Sequence, residues 1–131
     1  MKKLTAVLLA CVMLFSVAFA LPMTFSVMPR TGFFNSQVDV DAGKTWTSYK
    51  YEIPSSYENV YLDADLVGGK TVTVELYGTN STSSSGTKLK TLTVSGIGNY
   101  SNVKNTYTYY YFKVINNNSS TNSAVVVKLY A

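Results

Sequence analysis

Thr106-Tyr-Thr-Tyr-Tyr-Tyr-Phe-Lys-Val-Ile115 is the stretch of this 131-residue chain that decides its fold. Aromatic and β-branched residues dominate it, and these residue types favour extended strands. Lys113 marks one side of the strand as solvent-facing, because a lysine is rarely buried without a partner. Since successive side chains of a strand point to opposite faces, the strand has an inward and an outward row. The inward row is predicted to be Tyr110, Phe112 and Val114, and the outward row Tyr107, Tyr109 and Tyr111.

The chain from residue 21 onward repeats this pattern of short alternating runs. Apolar residues recur at every second position, and segments rich in Gly, Ser, Asn and Thr separate the runs. No run has the longer period of an amphipathic helix. Seven or eight short strands of this kind predict an all-β, antiparallel two-sheet sandwich, either immunoglobulin-like or jelly-roll-like.

The clearest half-buried strand is predicted from Tyr57 to Leu66, and a second from Lys70 to Tyr77. Gly68 and Gly69 lie between them, and paired glycines are typical of a hairpin turn. Pairing Leu66 with Lys70 keeps the apolar residues of both strands on one face. The sequence therefore predicts a hairpin with a three-residue loop and a glycine in the left-handed region.

A single strand is also predicted from Thr45 to Ile53, where the chain reaches Pro54. Lys50 and Glu52 lie two residues apart and mark one face as solvent-facing. The same alternation places Trp46 on that outer face, where its ring is available to a ligand.

The first twenty residues are predicted to be a secretory signal peptide. Met1-Lys2-Lys3 is a short basic start, Leu4 to Phe19 is apolar, and Ala18-Phe19-Ala20 is a small-x-small cleavage signal. Cleavage after Ala20 leaves a secreted, extracellular domain of residues 21–131. A transmembrane anchor is the alternative, but no basic stop-transfer flank follows the apolar run.

Cys11 requires a separate interpretation, because Leu8-Leu9-Ala10-Cys11 resembles a bacterial lipoprotein lipobox. Lipidation at Cys11 would leave a mostly apolar segment, residues 12–21, at the new N-terminus. It would also leave an apolar region of only about seven residues before the cysteine, the lower limit for a signal peptide. Cys11 is therefore expected to be a small hydrophobic residue of the leader. The domain would then contain no cysteine and would fold without disulfides.

The charge balance does not favour a nucleic-acid partner, and no membrane partner is expected once the leader is cleaved. Eleven basic and seven acidic residues give a net charge of +4. Without Lys2 and Lys3, nine basic residues remain against seven acidic ones, a net charge of +2. No cluster of lysine or arginine is present to form a basic patch.

The residue types that most enzymes require are missing. The chain has no histidine and, once the leader is removed, no cysteine, so the commonest catalytic base and a thiolate nucleophile are both lacking. Paired carboxylates could still act as in a glycosidase. All seven acidic residues, however, lie at predicted outward or turn positions, where a raised pKa is not expected. The sequence therefore predicts a non-enzyme without a cofactor.

One short segment, Asp39-Val-Asp41-Ala-Gly43, resembles the start of a calcium-binding loop. It lacks a third oxygen ligand before the glycine, and Lys50 occupies the position of the closing glutamate. Asp63 and Asp65 share a strand face and could contribute if that strand lay nearby. A polar turn without a metal is the expected structure.

An aromatic, weakly cationic face is the one positive functional signal. Pairing Val114 with Val125 of the last strand, Ala124 to Tyr130, places the outward residues of both strands on one surface. Together with Trp46 they form the candidate ligand-binding set, which is Trp46, Tyr107, Tyr109, Tyr111, Lys113, Lys128 and Tyr130. Tyrosine is also simply a favoured strand residue, and that reading needs no ligand.

These observations favour a secreted, non-catalytic module that binds an extracellular or cell-wall glycan, or a surface partner, through the aromatic face. The alternative is a protein that assembles with itself into an extracellular matrix or fibre, since exposed strand edges template further pairing. A small cationic antagonist of neighbouring cells is a third hypothesis.

Overall fold

The computed structural model describes residues 30–131. The predicted signal peptide, Cys11 and the domain start at residue 21 lie outside these residues. Within the described part every element is a β-strand, in agreement with the predicted all-β class. The same residues contain no helix long and apolar enough to cross a membrane.

In residues 30–131, nine strands form two antiparallel sheets that pack face to face, which confirms the predicted sandwich. The first sheet has the order β1-β9-β4-β7, and the second has the order β2-β8-β5-β6, with β3 also pairing with β8. The strands are β1 (Gly32–Val40), β2 (Thr45–Thr47), β3 (Tyr51–Glu52), β4 (Asn59–Gly68), β5 (Val72–Thr79), β6 (Thr87–Val94), β7 (Asn99–Lys104), β8 (Tyr109–Ile115) and β9 (Ser123–Tyr130).

The strand order is that of a jelly roll rather than an immunoglobulin domain. Counting β2 and β3 as one broken strand, the chain crosses between sheets at every connection except that from β5 to β6. The two sheets therefore interleave early and late strands, as two Greek keys do. The predicted single strand from residue 45 to 53 is divided, and β7 forms where no strand was predicted. These two differences raise the number of strands in residues 30–131 to nine, where seven or eight were predicted.

The predicted hairpin between β4 and β5 is wrong, because these strands lie in different sheets. The connection turns the chain from one sheet into the other. Gly69 has the predicted left-handed conformation, with φ of +83°. A Cβ at this position would collide with the backbone of Asn122 and Ser123, so glycine is required by both conformation and space.

The predicted pairing of β8 with β9 is also wrong. Val114 pairs with Val74 of β5, whereas Val125 pairs with Val38 of β1 and Leu66 of β4. Both valines are fully buried, on the inner surfaces of opposite sheets. Alternation identified the inward face of each strand correctly, but two inward faces in a sandwich can be opposed across the core instead of being adjacent in one sheet.

The core fills the space between the sheets with aliphatic side chains and a few aromatic rings. The predicted inward rows are confirmed in β4, β8 and β9. Fully buried members of those rows include Val60, Leu62, Ala64, Tyr110, Phe112, Val114, Val125, Val127 and Leu129.

Trp46 lies on the inner side of the sandwich, so its predicted outward orientation is wrong. It pairs with Val114, and its ring packs against Phe112 and Phe34 at centroid distances of 5.5 and 5.9 Å. After β2 the ladder is interrupted at Ser48, whose Oγ accepts a 3.0 Å hydrogen bond from the Phe112 amide. This interruption shifts the alternation by one residue, so Ile53 is also buried.

The two ends of the described chain are joined by a pair of backbone hydrogen bonds. The amide of Thr31 donates to the carbonyl of Ala131 at 2.8 Å, and the amide of Ala131 donates to the carbonyl of Thr31 at 2.9 Å. The bonds extend the ladder between β1 and β9 by one reciprocal pair beyond Gly32 and Tyr130.

Candidate functional sites

The seven predicted ligand-binding residues do not share one surface. Because β8 and β9 belong to different sheets, their outward residues lie on opposite outer faces of the sandwich. Trp46 is inside, Tyr107, Tyr109, Tyr111 and Lys113 belong to the side of the second sheet, and Lys128 and Tyr130 belong to the outer face of the first. The predicted common face is therefore wrong, and the sites must be considered separately.

The outer face of the second sheet contains a compact cluster of tyrosines and charges on β5, β6 and β8. The rings of Tyr77 and Tyr111 stack at 4.9 Å with an interplanar angle of 13°, and the Nζ of Lys113 lies 4.9 Å from the Tyr77 centroid. Lys88 forms an ion pair with Glu75 at 2.9 Å. The faces of the Tyr77 and Tyr111 rings are therefore in contact with each other, and Tyr77 also contacts the Lys113 ammonium.

The carboxylate of Glu75 is the electrostatic centre of this cluster. The hydrogen bond from Lys88 lowers the pKa of Glu75 against the opposing effect of burial, and the hydroxyl of Tyr77 also donates to this carboxylate at 3.0 Å. Burial raises the pKa of Tyr77, and the bond to Glu75 raises it further. Burial alone raises the pKa of Tyr111.

The loop of residues 80–86 folds over Tyr111 and buries it. The Tyr111 hydroxyl donates to the carbonyl of Ser85, and the Nζ of Lys50 donates to the carbonyls of Thr82, at 2.7 Å, and Ser84. The same ammonium lies 5.6 Å from the Tyr111 centroid. Tyr111 is only 4% exposed, so its ring is not available to a ligand.

Tyr107 and Tyr109, the other tyrosines of the predicted row, are half-buried. The Tyr107 ring is edge-on to Tyr110 at 6.2 Å and lies against Gly78. A Cβ on that glycine would lie 2.5 Å from Tyr107 Cδ2, so the ring occupies the space that a side chain would need. Tyr107 and Tyr111 are therefore packed into the protein, and the predicted row does not form a flat platform.

The outer face of the first sheet carries a second aromatic stack, whose members were not predicted to lie together. Tyr61 stacks on Tyr130 at 5.2 Å with an angle of 9°, and on Tyr100 at 6.2 Å with an angle of 26°. The Cζ of Arg30 lies 4.2 Å from the Tyr61 centroid. Tyr61 lies in the strand predicted from Tyr57 to Leu66, whereas Tyr100 lies in β7, where no strand was predicted.

Tyr130 is held in this stack by Asp63. Its hydroxyl donates to the two carboxylate oxygens at 3.1 and 3.0 Å. Burial raises the pKa of Tyr130, with the bond to Asp63 as a further cause. Beside it, a groove of about 220 Å³ is lined in part by Arg30, Phe34 and Lys128.

A polar pocket of about 330 Å³, here called the end pocket, lies at one end of the sandwich. It forms where the β3–β4 connection, the start of the β5–β6 loop and the β7–β8 connection converge. Its walls include Glu52, Ser55, Asn80, Asn105, Tyr107 and Thr108. Only Tyr107 belongs to the predicted set, because the convergence of three distant loops is a property of the strand order.

The acidic residues considered for calcium do not cluster in the described residues. Residues 30–131 contain no group of three or more His, Cys, Asp or Glu side chains that could hold a metal ion. The carboxylate of Asp39 accepts from the side chain of Gln37 at 2.8 Å, and that of Asp65 accepts from the amide of Gly98 at 2.7 Å. These carboxylates have protein donors as partners.

Comparison with known proteins supports the fold class. No protein-family model matches the chain, and no curated protein matches it. The crystal structure of PirA is similar to this chain with a TM-score of 0.50 and 12% identity, over 79% of this chain and 99% of PirA. At this identity the similarity shows the fold alone. A structure described as "Bacillus endospore appendages form a novel family of disulfide-linked pili" has a TM-score of 0.38 and 14% identity, over 80% of this chain and 91% of that one. That score is too low to carry an argument.

Proposed function

We propose that the protein is a non-catalytic, extracellular β-sandwich whose copies associate by strand addition at the outer edge of β1. A strand at the edge of a sheet presents unpaired N–H and C=O groups, and a strand from another copy can form hydrogen bonds with them. The observation that carries the proposal is the contrast between β1 and the other sheet edges of the described chain.

Three of the four edges have features that discourage pairing. The β2–β3 edge consists of strands of three and two residues with a break between them. The β6 edge carries Lys88 and Lys90 around an irregularity in its register with β5. The β7 edge has six residues and ends at Lys104. Short strands, bulges and lysines are the usual protections of an exposed edge.

The edge of β1 lacks these protections over most of its length. It has nine residues with no lysine, arginine or proline, and Asp39 is its one charged residue. Its register with β9 is regular from Phe34 to Val40. Asn35 and Gln37 are exposed on its outer face. Amide side chains of this kind can form hydrogen-bonded ladders between neighbouring strands.

The β1 sequence is also compatible with antiparallel pairing to β1 of a second copy. A two-fold axis at Ser36 would place Asn35 opposite Gln37 of the second copy on the outer face. It would place Phe34 opposite Val38 of the second copy on the inner face. Both pairs match in polarity, as required for two sheets to continue into one.

The test is the oligomeric state of the purified protein, measured without glycan by light scattering and sedimentation over a range of concentrations. The wild-type protein should associate. The double variant Asn35→Lys/Gln37→Lys places like charges opposite each other and should weaken association by about tenfold or more. A matched control, Thr91→Lys/Thr93→Lys, adds the same charges to exposed positions of β6 and should associate like the wild type.

A strictly monomeric wild-type protein at high concentration would contradict the proposal. Equal weakening by the β1 and β6 variants would place the contact elsewhere and would reject the assignment to β1.

Glycan binding is the second candidate function, and the end pocket is the observation that favours it. The tyrosines of the outer faces favour it less, because Tyr61 stacks on Tyr130 and Tyr77 stacks on Tyr111, which lies under a loop. A concave site with convergent polar groups is the usual form of a small-ligand site.

A further inference from the structure

We infer that the end pocket binds a neutral, hydroxyl-rich ligand, namely one uncharged sugar unit of a glycan. This inference rests on the second candidate function and does not depend on self-association. The pocket volume of about 330 Å³ lies at the lower end of the usual range for small-ligand sites, about 300 to 1,000 Å³.

The walls of the end pocket are held in place by hydrogen bonds across the three converging segments. The Nδ2 of Asn105 donates to the carbonyls of Pro54 and Tyr57 at 2.8 and 3.0 Å. The amide of Thr108 donates to the Oδ1 of Asn80 at 3.0 Å. A site organised before binding loses less conformational entropy when a ligand enters.

The buried hydroxyl of Tyr110 fixes the floor of the β7–β8 connection. It accepts hydrogen bonds from the amides of Thr106 and Tyr107 at 2.9 and 3.1 Å. The amide of Ile53 donates to the carbonyl of Thr108 at 3.1 Å and links this connection to the end of β3. Hydrogen bonds therefore hold the pocket walls on at least two sides.

One polar atom of the wall has no protein partner. The Oδ1 of Asn105 is buried and accepts no hydrogen bond within the described residues. Its identity as the oxygen is determined by the network, because the other end of the amide faces two carbonyls and must be the donor. A buried acceptor without a partner is uncommon in native proteins. Because this oxygen has almost no exposed surface, a ligand in the pocket reaches it only if the Asn105 side chain shifts.

The charge and chemistry of the lining select the ligand class. Glu52 is the one carboxylate among the lining residues, and no lysine or arginine lines the pocket. An anionic ligand is therefore disfavoured by Glu52 and has no cation to pair with. The carboxylate oxygens of Glu52 accept hydrogen bonds, while the hydroxyls of Ser55 and Thr108 can donate or accept. Neutral sugars supply the matching set of hydroxyl groups.

The experiment measures binding of the purified protein to soluble neutral oligosaccharides, with β-1,4-glucan, chitin, α-glucan and mannan fragments as probes and polygalacturonate as the anionic control. Calorimetry gives the affinity, and the amide side-chain NMR signal of Asn105 reports the site. Saturable binding to a neutral probe, with a shift of that signal, is expected.

Two pairs of variants test the location. Glu52→Gln removes the pocket carboxylate, whereas Glu58→Gln alters an exposed carboxylate of the same connection that does not line the pocket. Ser55→Tyr fills the pocket, whereas Ser56→Tyr adds the same ring one residue away. Glu52→Gln and Ser55→Tyr should each weaken binding about tenfold or more, and the two controls should bind like the wild type.

Failure to bind any neutral probe would overturn the inference, as would preference for polygalacturonate. Binding that survives both Glu52→Gln and Ser55→Tyr would retain glycan binding as a function but reject the end pocket as its site. None of these results affects sedimentation without glycan, so failure of the self-association proposal remains distinguishable.

Discussion

Trp46 and Phe112 pack against each other inside the sandwich, with ring centroids 5.5 Å apart and planes tilted by 37°. Phe34 contacts both rings, at 5.9 Å from Trp46 and 5.1 Å from Phe112, so one aromatic residue from each of β1, β2 and β8 forms a common cluster. The cluster joins the first sheet to the second sheet near Ser48, where the strand ladder of the second sheet is interrupted. Trp46 is accordingly a packing residue.

Replacing Trp46 by alanine is therefore expected to lower stability rather than to remove a binding surface. Loss of a packed tryptophan should decrease the free energy of unfolding by about 3 kcal/mol. Tyr49 is 85% exposed, and Tyr49→Ala is the control, with an expected change within about 0.5 kcal/mol. Chemical denaturation measures both variants. A change of similar size in the two would contradict the assignment of Trp46 to the core.

Gly78 is expected to be intolerant of even a methyl group. A Cβ there would lie 2.5 Å from Tyr107 Cδ2, so Gly78→Ala must displace a ring that lines the end pocket. Overpacking of this kind should cost about 1–3 kcal/mol of unfolding free energy. A Cβ at Gly96 would meet nothing within 4 Å, and Gly96→Ala should be nearly neutral. Equal melting temperatures for the two variants would contradict the prediction, because they would show that the Tyr107 ring can move aside without loss of stability.

The stability of the protein should depend on pH through Glu75. Its pKa is lower in the folded protein than the ordinary 4.5, because Lys88 donates a hydrogen bond to the charged form. The stabilisation is therefore present above pH 4.5 and is lost as the pH falls through the lower folded value. Glu75→Gln should flatten this acid-side loss, and Lys88→Met should do the same. Denaturation curves measured over an acid pH series check this, and a slope unchanged in both variants would contradict it.

The loop of residues 80–86 should loosen when its anchors are removed. Lys50→Met deletes the donor to the carbonyls of Thr82 and Ser84 and should speed amide hydrogen exchange within the loop. Because the ammonium is partly exposed, the global cost should be about 1 kcal/mol or less. Lys44→Met, at an exposed lysine outside this contact, is the control. Unchanged exchange in the loop would mean that the bond from Tyr111 to Ser85 holds it alone, which Tyr111→Phe would then show.

The faces of the strands could be predicted from the sequence because alternation is a local property. Val60, Leu62 and Ala64 are buried as expected, since charged or polar residues alternate with them. The pairing partner of each strand could not be predicted in the same way. Val114 and Val125 both point inward, but alternation does not distinguish a neighbour in the same sheet from one across the core.

The candidate sites could be predicted less well, since they depend on partners as well as faces. The broken ladder at Ser48 reverses the phase around Trp46, and no residue type in that stretch signals the break. Burial of Tyr111 depends on a Ser/Thr-rich loop that folds back over the sheet, which composition alone does not reveal. The end pocket required the strand order before its walls could be recognised.

The position of β9 has a consequence for biogenesis. This strand is the last of the nine in sequence, yet it lies between β1 and β4 in the middle of the first sheet. During synthesis, β4 can pair with β7 early, but β1 has no partner in its sheet until residues 123–130 have been made. Pairing of β1 with β9 closes the longest loop between paired strands of the described chain. Loss of β9 would remove a central strand of that sheet, and the nascent chain keeps β1 without its partner in the sheet until β9 has been made.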